Sequence, residues 1–319
     1  MDLIYTDENR IDKGVLTAYS FDLSFGASEN DFEMTLGAKE PVLSDGSFAY
    51  IEGTEYGGIV DGIKASTNSN TVTYKGRTWH GILNSKVIEP NAGEAYLIVS
   101  GDANELLAML VARLGLSELF VAAGELSGIN ISNYKFHRFC KAYDGIVDML
   151  GDNGAKLKIA WVDRAVQLSA VPIVDYTEFP ADSDTASLSV EKRSKKVNHL
   201  ICLGKGELTE REVVHLYVDQ FGNIGDAPYF TGLDDVTELY ENTNSEDLRA
   251  DGKKKLTELL KKNDKAEIFP NKTNENEYDI GDVVGASELR TGVTVAATVT
   301  QKIIKISNGV VSTEYKTGG

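Results

Sequence analysis

Val15-Leu16-Thr17-Ala18-Tyr19-Ser20-Phe21-Asp22-Leu23-Ser24-Phe25 is followed, after Gly26-Ala27-Ser28-Glu29-Asn30, by Phe32-Glu33-Met34-Thr35-Leu36. This stretch decides the fold. Val15, Thr17, Tyr19, Phe21, Leu23 and Phe25 recur at every second position, the period of a strand with one buried face. Phe32, Met34 and Leu36 repeat the pattern, and the Gly-Ala-Ser-Glu-Asn segment between them reads as the turn of a hairpin. Further strands are expected at Phe48 to Ile51, Gly58 to Ala65 and Thr71 to Leu83, the last two joined by Thr67-Asn68-Ser69-Asn70. Short strands at such regular spacing imply a barrel or sandwich.

The pattern changes after residue 91. Asp102 is a good helix N-cap with Glu105 in the capping-box position, and Leu106, Leu107, Leu110, Val111 and Leu114 form a helical stripe closed by Gly115. A second helix is expected from about Lys141 to Gly151. Lys156 to Trp161 and Ala165 to Leu168 then form a hairpin about Asp163-Arg164. From residue 183 the reading returns to β, with strands at Val197 to Leu203 and Val213 to Val218 and a turn at Asp219 to Asn223. A helix follows from near Thr243 to Ser245, weakened at Gly252 by about 1 kcal/mol relative to Ala. Val293 to Ile306 and Val310 to Tyr315 close the chain around Asn308-Gly309, a strong hairpin signal. The expected fold class is mainly β with an α+β insertion: residues 1–91 a first β-barrel, 92–182 an α+β middle domain, 183–319 a second β-barrel with one helix. Ile59-Val60-Asp61-Gly62 and Ile280-Gly281-Asp282-Val283 hint at a degenerate duplication of the outer regions.

Composition narrows the function. The chain has 319 residues with 42% hydrophobic content, enough for two or three cored domains. Its net charge of −17 argues against gripping nucleic acid, which takes Lys and Arg to displace counterions. The acidic N-terminus lacks the basic and apolar segments of a signal peptide, and no apolar run reaches membrane-spanning length. Folding in a cytoplasm is expected, with Cys140 and Cys202 as free thiols.

Motifs of catalysis or metal binding are wanting. There is no Gly-x-Ser-x-Gly elbow and no His-Glu-x-x-His. His80, His137, His199 and His215 are scattered, and His137 with Cys140 lacks a second ligand pair. Gly204-Lys205-Gly206 reads as a turn between strands, since the third glycine of a dinucleotide loop is missing. Asp182-Ser183-Asp184 and Asp234-Asp235 are pairs of a kind that 49 acidic residues produce by chance. Trp79 and Trp161, placed on strands, read as core packing in preference to sugar stacking. The run Lys192-Arg193-Ser194-Lys195-Lys196 stands out on the acidic background. It reads either as a solvated strand edge or, through Lys192, Arg193, Lys195 and Lys196, as a subunit contact against an acidic neighbour.

The segments together resemble the bacteriophage tail hub family, the siphovirus hubs related in fold to baseplate hubs and to the N-terminal region of tail-associated lysins. The resemblance rests on Tyr56-Gly57-Gly58-Ile59-Val60-Asp61-Gly62 and Gly76-Arg77-Thr78-Trp79-His80-Gly81-Ile82-Leu83 in the first barrel. In the second it rests on Val197 to Glu207, Asp219 to Asn223, the helix at 244–262 and Tyr278-Asp279-Ile280-Gly281-Asp282-Val283-Val284. It implies two barrels per subunit and a homotrimer whose six barrels meet a six-fold tail tube. It further implies other tail proteins as partners (a distal tail or tube protein, a tip or fibre protein), DNA passing the lumen without specific binding, and no cofactor. Location in the virion tail, after assembly in the host cytoplasm, follows from the same likeness. Larger relatives continue into lytic or receptor-binding domains. This chain stops at Gly319, and no enzymatic activity is expected of it. A carbohydrate-binding tail adhesin, built on an aromatic platform at Trp79 or Trp161, and a cell-wall hydrolase are the alternatives.

Overall fold

The computed structural model describes residues 1–66, 68–182, 186–192, 196–261, 264–270, 277–307 and 309–318, with the backbone alone at 179, 261, 264, 265 and 270. The first region runs β1 (Leu3–Thr6), β2 (Asp12–Leu16), β3 (Tyr19–Gly26), β4 (Asp31–Gly37), β5 (Phe48–Tyr50), β6 (Gly57–Ala65), β7 (Thr71–Thr78) and α1 (Trp79–Asn84). Tyr19, Phe21, Leu23 and Phe25 are buried as their alternation requires, with Phe21 opposite Met34 and Leu23 opposite Phe32. The strand does not reach back to Val15. The Glu40 carboxylate accepts from Thr17 Oγ1 (2.6 Å) and Ala18 N (2.9 Å), and this cap breaks β2 from β3. The other strand expected to run long also stops short. Thr78 Oγ1 accepts from Gly81 N (3.3 Å), so a helix begins at Trp79 where sequence alternation continued a strand to Leu83.

The middle region contains β8 (Val87–Ile88), β9 (Ile98–Asp102), α2 (Ala103–Arg113), β10 (Phe120–Ala122), β11 (Asn130–Lys135), β12 (Cys140–Lys141), α3 (Ala142–Gly151), β13 (Ala155–Val162) and β14 (Ala165–Pro172). Asp102 caps α2 through Asn104 N (2.9 Å). Its second oxygen turns to Ser127 Oγ (2.9 Å) and Gly128 N (2.9 Å), tying the cap to the next loop, while Glu105 lies exposed. Asp163 and Arg164 both have positive φ (51° and 67°), the two-residue turn whose twist suits the β13–β14 hairpin.

The last region contains β15 (Asp175–Asp182), β16 (Ala186–Lys192), β17 (His199–Leu203), β18 (Val213–Val218), β19 (Ile224–Gly225), β20 (Thr237–Glu241), α4 (Leu248–Lys261), β21 (Asp264–Pro270), β22 (Val283–Glu288), β23 (Val293–Ser307) and β24 (Val310–Thr317). The α4 helix starts later than Ser245, because Asp247 is its cap and accepts from Ala250 N (3.0 Å). The β23–β24 hairpin forms as expected around Gly309; Asn308 lies outside the described residues.

One 13-stranded sheet joins the two ends of the chain in the order β16-β21-β24-β23-β3-β4-β7-β6-β5-β1-β2, with β22 on β23 and β15 on β22. The long strand β23 makes this possible. Val293 to Thr298 pair with β22, and Gln301 to Ser307 pair with β3. Ile304 and Ile306 therefore complete a core formed by Leu3, Phe21, Phe25 and Met34, while Val295 and Val299 belong to a second core with Ile268, Tyr278 and Tyr315. Two cores on one sheet require it to wrap around each in turn. A third core unites α1, α2, α3, β13 and β14 with Phe48 and Tyr50. A fourth lies between α4 and the sheet β19-β18-β17-β20. The chain is thus mainly β, with small helical insertions.

Candidate functional site

Charged side chains meet inside the molecule where the three regions join. Lys156 comes from β13, Asp279 and Asp282 from the turn before β22, Lys302 from β23, Glu55 from the β5–β6 connection and His80 from α1. Lys156 Nζ donates to both oxygens of Asp282 (2.8 and 2.7 Å) and to Asp279 Oδ2 (2.8 Å). Asp282 is fully buried; it also accepts from Val174 N (2.9 Å) and Asp279 N (2.9 Å), so every lone-pair direction has a donor. Lys302 Nζ donates to Glu55 Oε1 (2.8 Å), and His80 Nε2 stands 3.6 Å from Glu55 Oε2.

Electrostatics keep Glu55, Lys156 and Lys302 ionised. Burial pushes the Glu55 carboxyl up, but Lys302 and His80 outweigh it and hold the group at about 2. Burial likewise disfavours the Lys156 and Lys302 ammonium groups. Asp279 and Asp282 for the first, and Glu55 for the second, raise both above the usual lysine value. Gly281 in the turn has φ +99°, and a Cβ there would stand 3.0 Å from Lys156 Cβ, so the turn and the lysine are fitted to each other. His80 stacks on Phe25 (4.4 Å between centroids, 3° between planes). A cavity of about 270 Å³ borders the set, lined by Glu55, Tyr56, His80, Tyr143 and Lys302 among others. The chemistry of this junction is charge pairing.

Trp79 and Trp161 are both buried and stack on each other (5.2 Å), with Tyr50 stacked on Trp161 (4.2 Å). The core-packing reading is therefore the one the structure gives, and neither indole offers an exposed sugar platform. Trp79 does so from a helix and not from a strand.

The structure does not bring the other sequence candidates together. Lys192 ends β16 and donates from Nζ to Thr294 O (3.2 Å). Lys196 is half-buried after it, and Arg193 and Lys195 lie outside the described residues. His137 and Cys140 share a turn, Cys140 N to His137 O (3.3 Å), but the His137 ring receives Lys254 Nζ (2.9 Å). His199 Nε2 pairs with His215 Nδ1 (2.9 Å), an adjacency the sequence did not reveal. Among the described residues, no group of three or more His, Cys, Asp or Glu could hold a metal. Gly204-Lys205-Gly206 is a connection between strands, with Gly204 N on Glu212 O (2.8 Å) and Glu212 N on Lys205 O (2.8 Å). Of the carboxylate pairs, Asp234-Asp235 sits in an exposed loop, and Ser183 and Asp184 lie outside the described residues. No helix among the described residues is long and apolar enough to cross a membrane.

One sheet face is left uncovered by the described residues. Leu200, Cys202, Leu216 and Val218 lie under α4. The alternate positions of the same strands, Ile201, Leu203, Val213, Tyr217 and Leu239, face away from it, and Val213 and Leu239 are 46% and 65% exposed.

No family model and no curated protein matches the chain. Solved structures do. A tail protein from Neisseria meningitidis MC58 is 12% identical, with a TM-score of 0.57 over 100% of this chain and 96% of that one. The 43 kDa tail protein of prophage MuSo2 from Shewanella oneidensis is 10% identical, with a TM-score of 0.62 over 99% and 98%. A chain of the p2 virion baseplate in its activated conformation is 12% identical, with a TM-score of 0.54 over 99% and 98%. At such identities the likeness is one of fold: from end to end, the chain has the fold of phage and prophage tail proteins.

Proposed function

We propose that this chain is a structural component of a phage or prophage-derived tail, a homotrimeric hub that closes the distal tail tube and adapts it to the tip or baseplate. The observation that carries the reading is the extent of the likeness, 99% of this chain and 98% of the MuSo2 tail protein, with no large part of either left over. Two cores wrapped by one sheet suit two barrels per subunit, so that three copies present six similar surfaces to a six-fold tube. The division at 1–91, 92–182 and 183–319 belongs to this proposal; the core of the middle region also takes in Phe48, Tyr50 and Trp79 of the first. The role is structural and not catalytic, in the virion tail after assembly in the host cytoplasm. The partners are other tail proteins, and DNA passes the bore unheld, which a chain of net charge −17 favours.

Light scattering on purified protein, with electron microscopy of antibody-labelled tails, tests the reading. The expected result is three times the 34.7 kDa chain mass at high concentration and label at the distal tail end. A monomer or a stable two-fold dimer at every concentration, or label spread along the tube, would overturn it.

A further inference from the structure

The sheet β19-β18-β17-β20 with α4 is a small unit with its own core, and its outer side is unusual for a free surface. Leu208, Leu233 and Phe221, in the loops at the two ends of the sheet, are the most exposed large apolar side chains among the described residues, at 93%, 89% and 79%. Between them lies the uncovered face with Ile201, Val213 and Leu239. Apolar surface gathered in this way marks a protein contact. The same face carries His199 and His215 beside Tyr217, and residues 199–241 hold nine Asp and Glu against Lys205 and Arg211 alone, so the face is part apolar and the unit that bears it is acidic. Its complement is an apolar side chain ringed by cations.

The chain has such a feature. Residues 134–141 carry Lys135, Arg138 and Lys141 and no carboxylate. At their tip Phe139 is 55% exposed and held at a positive φ of 56°, a costly conformation for an aromatic residue. The Arg138 guanidinium lies 5.2 Å from its ring centroid. The tip cannot reach the open face of its own subunit. Lys254 of α4 bonds to His137 (2.9 Å), which puts the helix, and not the open face behind it, beside the tip.

We propose that the Phe139 tip of one copy docks on the open face of β17, β18 and β20 of the next copy. This rests on the trimer reading above and gives it a contact. Leu239 and Val213 receive the Phe139 ring, and Arg138 and Lys141 meet the acidic surround. Such a contact joins two different surfaces and therefore runs head to tail, as a closed three-fold ring requires.

The test uses the full chain with Phe139→Glu and Leu239→Lys, both at exposed positions, and compares their thermal melts with wild type to show that each is folded. By sedimentation, each variant alone should need at least about tenfold more protein to associate, as loss of a central apolar anchor does. Mixed in equal amounts, they should recover part of that association, because a mixed ring of three has one intact contact and one of Glu against Lys but always keeps one damaged contact. The tip of the Leu239→Lys chain and the face of the Phe139→Glu chain are both intact, and the reciprocal contact becomes Glu against Lys. A folded variant that associates like wild type, or a mixture that associates no better than either variant alone, overturns the docking while leaving the trimer standing. A wild-type chain that never associates overturns both.

Discussion

Replacing Lys156 by Met tests the buried junction directly. The substitution keeps the four-atom stem of the side chain but leaves the fully buried Asp282 carboxylate with two backbone donors, Val174 N and Asp279 N, and no cation. Breaking a buried ion pair from one side costs about 3–5 kcal/mol, because the remaining charge is neither hydrated nor paired. For 319 residues, an unfolding entropy of about 2.1 cal/mol/K per residue comes to about 0.7 kcal/mol/K. The melting temperature should therefore fall by about 4–7 °C if the chain unfolds cooperatively. Adding Asp282→Asn to Lys156→Met removes the stranded charge and keeps an acceptor for one of the two N–H groups. The double variant should thus be more stable than Lys156→Met alone. Calorimetry of the four chains of this cycle reads both outcomes. A Lys156→Met chain within about 1 kcal/mol of wild type, or losses from the two substitutions that simply add, would refute the reasoning.

Two further outcomes follow from the packing. Helix propensity alone favours Gly252→Ala by about 1 kcal/mol, but the new Cβ would stand 2.4 Å from Cys202 Sγ and 2.9 Å from Leu216 Cδ1. Urea denaturation should show a net loss of about 1–3 kcal/mol, relieved by adding Cys202→Ala; a gain in stability would show that α4 can lift off the sheet without cost. The second outcome concerns pH. Glu55 titrates at about 2 in the folded chain against 4.5 in an ordinary carboxyl. A depressed carboxyl stabilises the fold above its unfolded value, here by about 3 kcal/mol, and that contribution disappears as the pH falls from 4.5 towards 2. The stabilities of wild type and Glu55→Gln should converge over that range, and a gap that persisted at pH 2 would remove Glu55 as its cause.

Local signals were legible where the physics is local. The alternation of Tyr19 to Phe25, the Asp102 cap and the Asp163-Arg164 turn depend on residues within a few positions of one another, and the structure places all three as expected. The errors come from a distant partner and from a local cap that overrides strand alternation. Glu40 cuts the first strand at Thr17 from 23 positions away. Trp79 alternates correctly for a strand, but the Thr78 hydroxyl turns the chain into a helix and the indole reaches the same core from there. The junction was the least visible part. Lys156 meets carboxylates 123 and 126 positions away, and in a chain with 49 acidic residues neither Asp279 nor Asp282 stands out. A signal did exist in β23. Val295, Ala297 and Val299 are buried at odd positions, and Lys302, Ile304 and Ile306 at even ones. The parity changes at a bulge between Val299 and Gln301, where Thr300 O lies so close to Gly26 that no Cβ fits. A strand whose inward face switches parity is passing from one core to another.

That switch explains why charges are buried here at all. Strand β23 serves two cores, so the sheet must change partners at its bulge, and apolar contacts alone tolerate small slips along a strand. Lys302 sits just past the bulge and is held by Glu55 of the first region, with Asp279 of the last region 3.9 Å away. Lys156 ties the middle region to the same turn. An ion pair of this kind adds little net stability over apolar side chains of equal volume, yet it is costly to break from one side. It therefore penalises a displaced register far more than it rewards the correct one. A monomer could dispense with that. In the hub proposed above, a subunit sets two barrels against one ring, and an error in the relation between its halves would be repeated in every copy.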